Sequence, residues 1–288
     1  EYMGCLSNIA LNYLGIGDYN KALEVNNRTL ILIEKSLGVN HPLYIESLSI
    51  LAANYALSGD NSSAFKLFQN AYESDKQIYD MNKIGMSPEN LAYYKAHLET
   101  NFYQLASISY IDYSKMTIVN DSWINLNGII GSQYSLLLNK IKNGNNASLL
   151  KLVDDLKLLK LQLAQYNELS NNHKTQTNID KSTFDGPIYK IEAELSKQSQ
   201  GFADMQRTFT SKDVKSSLKN NEIFVDIAAF EYSDFTSNNW YYNFKYLVFI
   251  TNSEDILIDH LFIDNGKELE NEIFSNYKRH KPIHHHYY

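Results

Sequence analysis

Cysteine is almost missing from this 288-residue chain, whose single thiol is Cys5. One cysteine excludes a disulfide framework and a thiolate zinc site, and it is compatible with a reducing, cytoplasmic setting. Proline and glycine are scarce as well, at 4 and 12 residues, which favours long helices over a strand-rich sandwich. No apolar run approaches the roughly 20 residues that cross a bilayer, so no membrane partner is expected. Basic residues are outnumbered 33 to 26 by acidic ones, for a net charge of −7, and no Lys/Arg cluster offers a phosphate-binding face; no nucleic-acid partner is expected either. The sequence has no Walker-type glycine loop, no His-Glu-x-x-His, no Gly-x-Ser-x-Gly and no Cys-x-x-Cys. These absences remove the enzyme classes with a local signature, and no cofactor is expected.

What is present is a repeat. Residues 6–25 and 48–67 align at an offset of 42, pairing Leu6 with Leu48, Ala10 with Ala52, Asn12 with Asn54, Tyr13 with Tyr55, Gly17 with Gly59, Asp18 with Asp60 and Ala22 with Ala64. A period of this size marks stacked helical hairpins. Leu6, Ile9, Ala10 and Tyr13 fall at i, i+3, i+4 and i+7, which predicts one buried stripe. Gly17 and Gly59 suit a left-handed helix end, and Asp18 and Asp60 suit the N-cap of the next helix. Ala22 and Ala64 leave room for close helix approach.

These residues resemble the tetratricopeptide repeat, and the second copy also fills the family's later apolar positions with Phe68 and Ala71. Its second helix runs on to Gly38, and the next starts after Asn40-His41-Pro42, with Pro42 suited to a first turn. That long form is similar to the 42-residue repeats of kinesin light chains. The resemblance implies a solenoid with a concave groove that holds a protein or peptide. Ser7, Leu11, Ser49 and Ala53 are the positions expected to face it. The alternative is that these four pack against the neighbouring repeat.

Residues 87–115 keep a helical period but lose the repeat register, as a capping repeat would. Helices are expected at 121–143 and 147–168, the second carrying Leu149, Leu152, Leu156, Leu159 and Leu163 on one core-facing side. The polar stretch from Asn167 to Gly186 reads as a loop, followed by a helix at 187–198. Asn221–Tyr232, Trp240–Thr251 and Asp255–Ile263 are β-branched and aromatic runs that read as three strands, and Asp264–His280 returns to helical spacing. The predicted architecture is therefore an α-helical repeat solenoid over 1–115, a helical spacer over 116–210 with a polar loop at 167–186, and the start of an α/β sheet over 211–288.

The second half carries its own resemblance. Asn127-Gly128-Ile129-Ile130 through Leu138, the Leu-rich helix with Lys157 to Leu163, Glu192-Ala193-Glu194-Leu195-Ser196, the strand entry Leu218-x-x-Asn221-Glu222-x-x-Val225-Asp226 and Tyr246 to Ile250 look like the run-up and first strands of the CHAT domain. That family joins tetratricopeptide repeats to a caspase-like cysteine peptidase fold. The resemblance implies that the catalytic His and Cys stand on later strands, past Tyr288, so no catalytic residue is assigned here. The opening at Glu1 inside a repeat and the ending at His284-His285-His286-Tyr287-Tyr288 likewise read as an internal piece of a longer protein.

Other chemistry is thin. Cys5, inside the first repeat helix, is expected to be a small buried residue, and His260 lies in a strand at a place the family does not use. Imidazoles at His280, His284, His285 and His286 could hold zinc or nickel, but no carboxylate or thiol beside them completes a cage, and no metal site is assigned. Asn-x-Ser/Thr sequons at Asn27, Asn61, Asn120 and Asn146 are what an Asn-rich chain produces by chance. Two functions follow: a repeat–CHAT protein that binds a partner through its repeats and cleaves peptide bonds with a part not contained here, or a non-catalytic repeat scaffold.

Overall fold

A computed structural model describes residues 2–82, 88–130, 146–177, 179–199, 202–203, 208–236, 243–255, 257, 259–266 and 268. The first four helices are α1 (Tyr2–Gly15), α2 (Tyr19–Ser36), α3 (Pro42–Leu57) and α4 (Asn61–Asn82). Their boundaries follow local chemistry. Gly17 and Gly59 close α1 and α3 at φ 78° and 91°, a backbone region that costs a residue without Cβ little. The carboxylates of Asp18 and Asp60 then accept from the backbone N–H of Lys21 and Ser63 at 3.2 and 3.0 Å, filling orphan donors at the starts of α2 and α4. The N-cap of α3 is His41, whose Nδ1 accepts from Leu43 N–H at 3.1 Å just ahead of Pro42.

The stripe predicted for α1 is rotated. Ala10 and Leu14 are fully buried with Ser7, Leu6 and Tyr13 are half-buried, and Ile9 is exposed. Cys5 is exposed too, contrary to the expectation of a buried thiol. Both differences have one cause: α1 is covered by α2 and α3 but has no described helix on its other side, so its apolar residues there face solvent.

Helix α5 (Pro88–Ser109) packs on α4, and a 3₁₀ turn at Tyr113–Lys115 leads into α6 (Met116–Ile130). Because α6 packs back on α5, the boundary drawn at residue 115 falls inside a third helical hairpin rather than after it. Tyr72 on α4 donates its hydroxyl to the Ser122 carbonyl at 2.6 Å, tying that hairpin to the second repeat.

The stretch 167–186, read as a loop, contains helix. After α7 (Ala147–Glu168) come α8 (Asn171–Thr177) and α9 (Ser182–Gln198), the latter starting earlier than expected and holding Pro187 within it. The reason for α8 is tertiary: Asn171 Nδ2 donates to the Lys35 and Glu34 carbonyls at 2.7 and 3.3 Å, and Lys174 Nζ to that of Leu37 at 3.4 Å, so a polar segment becomes the C-terminal cap of α2. Leu149, Leu156 and Leu163 of α7 are buried against Ile188 and Leu195 of α9, as the leucine spacing required.

A short α10 (Ser211–Ser217) precedes three strands, β1 (Ile223–Tyr232), β2 (Asn243–Asn252) and β3 (Asp259–Ile263), which form an antiparallel meander in that order. Val225 opposes Ile250, Ile227 opposes Val248, and Val248 opposes Leu261 on one face. The other face, with Ala228, Phe230, Leu247 and Phe249, enters the same core as Phe68 of α4, Phe102 and Leu105 of α5 and Val119 of α6. Repeats and sheet thus share one apolar interior. The helix expected over Asp264–His280 lies almost wholly outside the described residues, as do His280 and His284 to His286.

Candidate protein-interaction surface

The spacer decides which side of the repeats is open. Helix α7 packs on α4 and α8 on α2, so the second helix of each repeat is covered. Among the described residues no spacer helix packs closely on α1 or α3, the first helices of the two repeats, and in a solenoid it is the first helices that line the groove.

The four residues expected on that face do not form one patch. Ser7 is buried, its Oγ 3.4 Å from Ser47 Oγ at the seam between α1 and α3. Ser49 is half-buried and donates to Asn101 Oδ1 at 2.9 Å, filling the seam between α3 and α5. Ala53 is half-buried, packed against the core clusters on both sides of α3. Only Leu11 among them is well exposed, at 41 %. Ser7 and Ser49 are therefore seam residues, matching the alternative of packing against a neighbouring repeat, and Leu11 is the member of the set with free apolar surface.

The helical hairpins, their glycine turns and this seam packing agree with the comparison of the chain with known families. Residues 2–77 match the tetratricopeptide repeat. The match runs from the start of α1 through most of α4, which is two complete repeats, and repeats of this kind serve protein–protein interaction. No curated protein and no solved structure matches the chain.

Behind the repeats, α4, α7 and α9 enclose a cleft of about 440 Å³. Lys160 is buried at its floor and pairs with Glu192 at 2.6 Å, while its Nζ reaches the Asp80 carbonyl at 3.4 Å. Lys76 pairs with Asp80 at 2.7 Å. With both cations matched by carboxylates, the cleft is a stapled helix junction. Its chemistry holds the spacer on the back of the second repeat.

The seam between α3, α4 and α5 carries a second buried polar set. Asn101 is held between Ser49 and Asp75, and burial pushes the Asp75 carboxyl up to about 7, against the pull of the Asn101 hydrogen bond. The set lies inside the repeat array rather than on its surface.

Where the repeats meet the sheet, sequence reasoning missed a cluster. Lys245 on β2 is buried on the inner face, with Nζ 3.7 Å from the Tyr110 ring centroid, 4.0 Å from that of Tyr232 and 2.6 Å from Asp264 Oδ1. The Lys245 hydrogen bond holds the Asp264 carboxyl below the usual carboxylate range, and burial pushes the Tyr232 phenol up to about 12. The one available signal was a lysine in the middle of an apolar strand, Phe244-Lys245-Tyr246.

Cys5 sits exposed on α1, whereas His260 on β3 lies tilted against the Tyr113 ring and edge-on to Phe262, at ring-centroid distances of 5.1 and 6.4 Å. Among the described residues no group of three His, Cys, Asp or Glu side chains could take a metal ion, and no helix is long and apolar enough to cross a membrane.

Proposed function

We propose that this chain is the repeat and early-sheet portion of a tetratricopeptide–CHAT protein, in which the repeats hold a protein partner and the sheet opens a caspase-like cysteine peptidase domain. The observation that carries the first half is the repeat match, with no described spacer helix packed closely on its first helices. Leu11, 41 % exposed, is the residue we assign to apolar contact with the partner.

The sheet supports the second half. Its order after the repeats and spacer is the order of parts in that family. The chemistry implied is attack of a Cys thiolate on a peptide carbonyl, with a His moving protons and backbone N–H groups holding the oxyanion. Neither residue belongs to residues 1–288 in this reading.

A non-catalytic scaffold is the second reading, and the Lys245 cluster favours it: the inner face of the sheet is given over to fastening the sheet to α5. The deciding experiment is to read the coding region past Tyr288 and assay the longer protein on peptide substrates. A His and a Cys at consecutive strand ends, with cleavage abolished by Cys→Ala, establishes the peptidase; no such pair, or cleavage that survives the substitution, leaves the scaffold. Partner binding is tested separately by Leu11→Asp, which should weaken retention of a partner at least tenfold while leaving the far-UV circular dichroism unchanged.

A further inference from the structure

The side of α1 turned away from α2 and α3 is apolar. Tyr2, Cys5, Ile9 and Asn12 recur at i, i+3, i+7 and i+10 and share that side, with Ile16 just past the helix end. Tyr2, Ile9 and Ile16 are 60, 42 and 75 % exposed, and Cys5 is exposed among them. Leu11 stands two positions from Ile9, on a different side of the helix, and is no part of this stripe. A repeat that ends an array turns a polar face outward, and α1 does not.

The second repeat shows what covers such a face. Moved by the 42-residue offset, Tyr2, Cys5, Ile9 and Asn12 fall on Tyr44, Ser47, Leu51 and Asn54 of α3. Those four meet α2. Tyr44 and Leu51 join Leu23 and Leu30 of α2 in one apolar cluster, the Ser47 carbonyl accepts from Asn26 Nδ2 at 3.0 Å, and Asn54 Nδ2 donates to the Tyr19 carbonyl at 3.1 Å. The tyrosine and the asparagine are the same in both sets, and Ile9 keeps the aliphatic character of Leu51. Leu51 and Asn54 are buried under α2, whereas Ile9 and Asn12 are exposed. Helix α1 thus carries the receiving half of the α2–α3 seam, and among the described residues nothing supplies the other half.

We propose that this face of α1 receives the second helix of a further hairpin of the same kind, lying ahead of α1 in the same polypeptide. The chemistry of that helix is the chemistry of α2: an aliphatic residue, an asparagine three positions on and a second aliphatic residue four after it, as at Leu23, Asn26 and Leu30. A carbonyl of its first turn takes the Asn12 amide, as that of Tyr19 takes Asn54. A second copy of this chain is poorly suited to the place, because α2 is already packed between α1 and α3, and α4 between α3 and α5. The proposal rests on the repeats alone and is independent of whether the later domain is a peptidase.

Cys5, the single thiol and a member of this face, is a native reporter. In the 288-residue chain iodoacetamide should alkylate it at close to the rate of the unfolded chain, because access controls the reaction. In the protein extended through the upstream coding region, the Cys5 peptide followed by mass spectrometry should be alkylated at least tenfold more slowly. Ile9→Asp should leave the urea midpoint of the 288-residue chain unchanged, lower that of the extended protein and restore rapid alkylation there. Equal Cys5 rates in the two proteins, or an upstream region without a helical hairpin in the 42-residue register, overturns the proposal. Slow alkylation of the 288-residue chain that quickens on dilution, together with a dimer mass, overturns it in favour of a second copy on the same face.

Discussion

Asn101 Nδ2 lies 2.5 Å from Asp75 Oδ2, and the Asn101 carbonyl oxygen accepts from Ser49 at 2.9 Å, so one amide joins three consecutive helices through their buried seam. Because burial lifts Asp75 to about 7, well above the ~4 of an unfolded carboxylate, folding favours its protonated form. The corresponding stability is fully present below about pH 4 and is lost as pH rises through about 7. At about 1.4 kcal/mol per unit the whole effect is on the order of 4 kcal/mol. Urea midpoints should therefore fall between pH 5 and pH 8, and Asp75→Asn should flatten that fall; parallel profiles for the two proteins would disprove the assignment.

Lys245 is predicted to hold the sheet against α5. Lys245→Met keeps the aliphatic stem but removes the Asp264 ion pair and both ring contacts, and about 2 kcal/mol of stability should go with them. The exposed pair Lys21–Asp18 provides the contrast, since solvent screens it and Lys21→Met should leave stability nearly unchanged. Chemical denaturation of the two variants side by side is the check.

Two glycines should respond oppositely to alanine. Gly59 sits at φ 91°, where a Cβ strains the backbone, and Gly59→Ala should cost about 1–2 kcal/mol. Gly4 is inside α1 with nothing within 4 Å of its would-be Cβ, and Gly4→Ala should gain about 0.5–1 kcal/mol. Thermal midpoints that move in the same direction for both would contradict the backbone assignment.

Asn171→Ala removes both amide hydrogen bonds to the last turn of α2. A loss of about 1 kcal/mol is expected, concentrated locally. Limited proteolysis should show faster cutting within 167–177 and little change within the repeats.

The repeats were legible because each of their rules is local. A glycine turn, an aspartate three residues before the N–H it caps, and a proline after His41 can be read from neighbours in sequence, and all three stand where expected. The strands were legible to within about four residues, since their β-branched runs are bounded by turn chemistry. What was not legible depended on distant partners. Asn171 and Lys174 look like loop residues until the carbonyls of α2 are brought to them, 136 and 137 positions away in the chain. Ile9 looked like core because the spacing rule says which residues share a face, but not which face another helix will cover. The seam contacts of Ser7 and Ser49 were hidden for the same reason, since their partners, Ser47 and Asn101, stand on α3 and α5.

Phe68 of the second repeat and Phe235 beyond β1 meet as a tilted ring pair, centroids 5.8 Å apart, inside the common core. A ring pair at van der Waals range in a close-packed interior transmits displacement, because there is no slack for either ring to move alone. The second repeat and the chain leaving β1 are thus joined by direct ring contact within one interior, so a change that enlarges or empties that ring site is felt by both.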